Sequence, residues 1–122
     1  MKQILLVDDE KTLLDGISEF LKLKGFAVAT ASNGAEAVAL FKSGLKVDLL
    51  ITDIIMPEKD GIELILYTKS KVPGCKIIAV SGGGRISPED YLLMAKGFKV
   101  NDTIQKPFAF SELDAKIKKT FA

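Results

Sequence analysis

Five times along this 122-residue chain a short apolar run is followed by a segment of helical periodicity, and few folds accept that alternation. The runs are Ile4–Val7, Ala27–Ala31, Leu49–Thr52, Ile77–Val80 and Thr103–Gln105. Three of them are nearly all Ile, Leu or Val, the pattern of strands buried on both faces of a parallel sheet. The last run carries the weakest strand signal. Right-handed crossovers between such strands give an open, doubly wound α/β sheet. In a sheet of that kind the ligand site lies beyond the carboxyl ends of the strands, near the point where strand order reverses. Periodicity alone leaves the strand order open.

The segments between the runs carry helix start and stop signals. The first places Leu14, Ile17 and Leu21 on one face, with Gly25 positioned to end it. The second opens at Asn33 with Glu36 three residues on, presents Val38 and Phe41, and stops near Gly44. The third runs from about Asp60, with Ile62, Ile65 and Leu66 inward. The fourth begins Ser87-Pro88-Glu89-Asp90, an N-cap serine, a proline at the first helical position and acids at the positive helix end, and stops at Gly97. The fifth starts at Ser111, with Asp114 as an approximate capping-box partner, and buries Leu113, Ile117 and Phe121. The pattern fills residues 1–122 as one domain, with no linker or repeat. Its end at Ala122 carries no trace of a linker, which favours a complete single-domain protein.

Composition removes several function classes. The chain contains no histidine, so Ser–His and Cys–His triads, histidine bases, nearly all zinc sites and phosphohistidine carriers are excluded. A formal net charge of +1, from 17 basic and 16 acidic side chains, is no footprint of a nucleic-acid binder, and no direct nucleic-acid partner is expected. The single cysteine, Cys75, permits no internal disulfide and suits a reducing cytoplasm. No apolar stretch approaches the ~20 residues that span a bilayer, and no membrane partner is expected.

The residues that follow the strands carry the chemistry. After the first come Asp8, Asp9 and Glu10; after the third, Asp53; after the fourth, Ser81; after the fifth, Lys106. One sheet edge gathers these groups although almost a hundred residues separate them. Carboxylates beside a lysine suit Mg²⁺, which takes hard oxygen ligands and usually shares its shell with a phosphate. Asp53 can itself be the nucleophile, as in enzymes that form an aspartyl phosphate. Singly, Asp8, Asp9, Glu10 and Asp53 could be no more than caps, and Glu10 is read as only that. Together, so much negative charge at one edge would be costly without a cation.

At these residues the chain resembles the receiver domain of two-component response regulators, over essentially its full length. The matching segments are Leu6-Val7-Asp8-Asp9-Glu10, Asp53-Ile54-Ile55-Met56-Pro57 followed by Asp60-Gly61, Val80-Ser81-Gly82, and Lys106-Pro107-Phe108. The resemblance implies a flavodoxin-like (βα)5 three-layer sandwich with a five-stranded parallel sheet of order 2-1-3-4-5. It makes Asp53 the phosphorylated residue, Asp9 a direct Mg²⁺ ligand, Asp8 a ligand through water, and the Ile55 carbonyl part of the metal shell. Ser81 matches the switch hydroxyl and Lys106 the lysine that contacts the phosphoryl group, with a cis peptide at Lys106–Pro107. Such a protein is a phosphoacceptor that assists its own phosphorylation and dephosphorylation rather than an enzyme. The implied donor is a sensor histidine kinase or a histidine phosphotransfer protein, and the implied output is a downstream protein partner.

One position departs from the family. Three residues before the lysine the family usually has Tyr or Phe, and this chain has Thr103. A short β-branched side chain cannot displace a ring's volume. The switch is therefore expected to act through the loop Gly82-Gly83-Gly84 and the helix start near Ser87-Pro88. That loop lacks P-loop spacing, and Arg85 within it is read as solvated. Lys116, Lys118 and Lys119 read as an ordinary wet helix end. A flavodoxin-like cofactor binder is disfavoured because acids stand where a flavin phosphate needs donors. A haloacid-dehalogenase-type phosphatase has a second aspartate where this chain has Ile55. A stand-alone switch, a phosphorelay intermediate and a receiver excised from a longer regulator remain as alternatives.

Overall fold

The computed structural model describes residues 1–54, 61–81, 97 and 99–122. The expectations for Ile55, the Met56-Pro57 turn, Asp60, the Gly82-Gly83-Gly84 loop, Arg85 and the helix start at Ser87–Asp90 lie outside those residues. The described elements are, in chain order, β1 (Gln3–Val7), α1 (Lys11–Leu23), β2 (Ala27–Ala31), α2 (Gly34–Lys42), β3 (Leu49–Asp53), α3 (Gly61–Lys71), β4 (Lys76–Ser81), β5 (Asp102–Gln105) and α4 (Phe110–Phe121). The strands form one sheet in the order β2-β1-β3-β4-β5, every pair parallel.

Successive strand residues face opposite sides, which is why unbroken apolar runs fit here. Leu5, Val7, Leu50, Ile77 and Ala79 pack on one face with Leu64 and Ile65 of α3 and Ala37 of α2. Ile4, Leu6, Ile51, Ile78 and Val80 pack on the other with Leu14, Ile17 and Leu21 of α1 and Leu113 and Ile117 of α4. These are three layers. Each fully buried Leu or Ile contributes about 1.5–3 kcal/mol.

The helix ends follow local chemistry. Gly25 and Gly44 adopt φ of 97° and 96°, and Phe26 N donates to Leu21 O at 3.2 Å as Leu45 N does to Leu40 O at 3.4 Å. Both are Schellman endings, which need a residue free to enter the left-handed region. At the start of α2, Asn33 Oδ1 accepts from Glu36 N at 2.8 Å, and the Glu36 carboxylate accepts from Ser32 N and Ser32 Oγ.

Three helix expectations are corrected. Leu66 does not point inward: it is 47% exposed, and Leu64 takes the core position beside Ile65. The helical period from the inward Leu64, Ile65 and Thr68 carries position 66 to the outer face. Ser111 does not cap the last helix. The N-cap position is Ala109, without a side-chain cap, and Asp114 pairs forward with Lys118 at 3.1 Å. Gly97 is itself helical, and the left-handed conformation falls two residues later at Lys99, with φ of 61°.

Candidate functional site

Register brings the strand-end residues together. Val7 lies opposite Thr52, so Asp8 and Asp53 follow side by side on adjacent strands. Ser81 lies opposite Gln105, and Lys106 comes next, its N–H donating to Ser81 O at 2.7 Å. Ser81 is wholly buried. The Lys106–Pro107 peptide is cis. Phe110, just beyond it, packs on Gly16 and lies 5.4 Å, ring to ring, from Phe20, so the chain leaving Lys106 is fastened to α1.

Asp8 and Asp53 are almost completely buried, while Asp9 is exposed. One carboxylate oxygen from each lies within 4.8 Å of the others, a spacing that could hold a metal ion. Hard oxygen donors of this kind suit Mg²⁺. Lys106 Nζ sits 2.9 Å from Asp8 Oδ2 and 2.9 Å from Asp53 Oδ2, with Glu10 Oε1 at 3.9 Å. Burial works against the Lys106 ammonium, but hydrogen bonds and attraction from Asp8 and Asp53 outweigh it and hold its pKa above the ordinary lysine value. The lysine stays charged, and it partly neutralises two buried carboxylates.

Asp8 also makes a local turn bond, its Oδ1 accepting from Glu10 N at 2.9 Å, but it does not cap α1, whose N-cap position is Glu10. The capping role expected of Glu10 is not found: it occupies the N-cap of α1 with no side-chain cap bond, and its carboxylate faces Lys106. Thr103 is half-buried on β5, opposite Ala79 of β4.

Gly61 is the positioning residue that sequence reasoning missed. A Cβ at that position would collide with Asp53 O, and would lie 2.6 Å from Ile54 Cα and 2.9 Å from Asp53 C. Gly61 N donates to Ile54 O at 2.9 Å. The first turn of α3 therefore rests directly on the backbone that carries Asp53. The signal was the Asp60-Gly61 pair itself, since a glycine opening a helix has poor helix propensity and calls for a steric reason.

Comparison with known proteins decides the family. The family model for the response regulator receiver domain matches residues 4–118. The chain belongs to the response-regulator receiver family. Receiver domains of this kind serve two-component signalling, and several relatives are regulators of transcription by name. The transcriptional regulatory protein CpxR of Klebsiella pneumoniae is 32% identical over 118 residues, covering 97% of this chain and 48% of that protein. The CpxR homolog of Haemophilus influenzae is 35% identical over 119 residues, covering 97% and 49%. This chain thus spans about half the length of the curated relatives it matches. Among solved receiver structures, the response regulator TrrA of Thermotoga maritima, in complex with Mg(2+)-BeF, is 34% identical with a TM-score of 0.85, covering 98% of this chain and 99% of that one. A receiver domain from Clostridium thermocellum is 28% identical with a TM-score of 0.87, covering 98% and 94%. The receiver fold, with strand order 2-1-3-4-5, is the one expected from the motifs.

Proposed function

We propose that this receiver accepts a phosphoryl group on Asp53 from the phosphohistidine of a sensor kinase, and that the modified domain changes its affinity for a downstream protein. What carries the reading is the placement of the buried Asp53 carboxylate between Asp8, Asp9 and the ammonium of Lys106. An Asp53 oxygen attacks phosphorus as the P–N bond breaks, and the imidazole leaves with that electron pair. Asp8, Asp9 and Asp53 are the residues that would hold Mg²⁺, with the Ile55 carbonyl added by resemblance. When bound, the ion supplies charge neutralisation for the phosphoryl oxygens. Lys106 turns from the free carboxylate to one phosphoryl oxygen, and the Ser81 hydroxyl donates to another. The protein positions and neutralises rather than turning over a substrate, so it is a switch and not an enzyme. Its place of action is the cytoplasm.

A second reading has one specific support. Relatives such as CpxR carry about as much chain again, so this domain could serve as the input module of a longer regulator. The chemistry at Asp53 is the same in both.

Incubation with a small phosphodonor and Mg²⁺ should add one phosphoryl mass to the intact protein. Asp53→Asn should abolish the product, and EDTA should suppress it. Labelling that persists in Asp53→Asn, or proceeds equally in EDTA, would remove Asp53 from the reading.

A further inference from the structure

In a sheet whose strands all run parallel, every strand begins and every crossover helix ends at the same pole, here the one opposite Asp53. Lysines have collected there. The described helices carry Lys22, Lys42, Lys69, Lys71, Lys118 and Lys119 in their last turns. The negative helix end accounts for those six. It does not account for Lys2, Lys46 and Lys76, which lie at strand starts or in the loops leading into them, and Lys99, two residues past the helical Gly97, makes a tenth. All ten except Lys76 are exposed.

Acids do not balance them. At this pole the described residues include Asp48 and Asp102, both half-buried and already engaged. Asp48 Oδ2 accepts from Gln3 N at 2.8 Å, and Asp102 Oδ1 lies 3.4 Å from Lys116 Nζ. The opposite pole holds Asp8, Asp9, Glu10 and Asp53. A net charge of +1 therefore conceals a molecule with a basic end and an acidic end. One further side chain stands out at the basic end. Leu23, between Lys22 and Lys24 at the close of α1, is 87% exposed.

We propose that the lysine pole binds an anionic lipid surface. Clustered ammonium groups meet the negative potential of acidic headgroups, and a protruding leucine enters the interface beside them. Two features separate this occupant from others of the same charge. The sequence has one arginine, Arg85, which follows β4 in the chain, so the described residues of the pole include none of the guanidinium forks that read phosphates and bases in nucleic acid. The lysines are spread over the ends of several helices and strands, which fits an extended plane of charge better than a single free phosphate. The inference departs from the expectation of no membrane partner, which rested on the lack of a bilayer-spanning apolar stretch, and it is independent of the chemistry at Asp53. Bound in this way, the domain would present the Asp53 end to the solvent.

The test is co-sedimentation of the full chain with vesicles of phosphatidylglycerol and phosphatidylcholine, against phosphatidylcholine alone. Binding should require the anionic lipid and weaken strongly between about 50 mM and 500 mM salt. Lys22→Gln, Lys46→Gln and Lys71→Gln combined should lower partitioning at least about tenfold. Leu23→Ser should lower it further, and both variants should keep the wild-type melting temperature and phosphorylation. Absence of binding at low salt, or binding unchanged in the triple variant, would overturn the proposal. Equal or tighter binding to a random DNA duplex would transfer the pole to nucleic acid. Loss of vesicle binding in millimolar inorganic phosphate at constant ionic strength would reduce it to a phosphate site.

Discussion

A methyl group at position 61 would strike the backbone of Asp53 and Ile54, so Gly61→Ala should push Asp53, the proposed nucleophile, out of place rather than merely loosen α3. Misplacement by about 1 Å costs on the order of a hundredfold in a positioned reaction. The rate of phosphoryl mass gain is expected to fall at least about tenfold in variant protein shown by circular dichroism to be folded. A rate lowered only in proportion to an unfolded fraction would make Gly61 structural and no more. Lys106 offers a second test. Removing its charge by Lys106→Met leaves two buried carboxylates without their cation, and breaking such a pair costs about 3–5 kcal/mol. The loss should appear in urea melts without Mg²⁺ and shrink when Mg²⁺ is added. The pH dependence has a definite sign. A lysine pKa raised by folding stabilises at all pH values below the ordinary 10.5 and loses that contribution as pH rises through the folded value. The wild type should therefore lose stability above about pH 10.5 more steeply than Lys106→Met. Cys75 lies at the other extreme of reactivity, since burial pushes its thiol up to about 12. It should resist alkylation at pH 8 until the protein is unfolded.

At the scale of elements, what could be read in advance depended on whether a segment obeys one rule or several. Strands β1, β3 and β4 are buried on both faces, and their unbroken apolar runs left little choice. Strand β5 is a sheet edge of four residues with Ile104 its single buried member, so burial wrote almost nothing there and the lysine motif after it was the guide. The start of α2 was legible because Asn33 and Glu36 make the bonds their types and spacing suggest. Asn33→Ala should accordingly lower stability by about 1 kcal/mol in chemical denaturation. The start of α4 was misread for the same reason in reverse. Ser111 and Asp114 have suitable types, but Asp114 is drawn into the protein surface, pairs with Lys118 through one oxygen and leaves Oδ1 without a partner. Leu66 was misplaced because α3 is apolar around much of its circumference, and periodicity loses its phase when the outer face is also hydrophobic. In the site, the gathering of Asp8, Asp9, Asp53, Ser81 and Lys106 followed from their places at strand ends, and the family followed from the motifs that contain them. The contact of Gly61 with Asp53 did not, because a glycine that opens a helix signals a steric reason without naming the backbone it meets.

For the molecule as a whole, Mg²⁺ is expected to stabilise the unphosphorylated fold, since its carboxylate cluster exists only when the strands are assembled. Millimolar Mg²⁺ should raise the melting temperature, and Asp9→Ala should remove the rise. Equal responses in the two proteins would take Asp9 out of the metal shell. The assembly requirement reaches further, because Asp8 and Lys106 come from opposite ends of the chain and meet only across β3 and β4. During synthesis the acidic residues leave the ribosome well before the strand that delivers the lysine. At about 5–20 residues per second, several seconds separate Asp8 from Lys106. For the later part of that interval a nascent chain carries Asp53, the proposed acceptor, without the lysine that stands beside it in the finished fold. On the proposed function, phosphorylation would thereby be reserved for finished domains, and a phosphoryl donor would have no need to distinguish a complete receiver from a growing one.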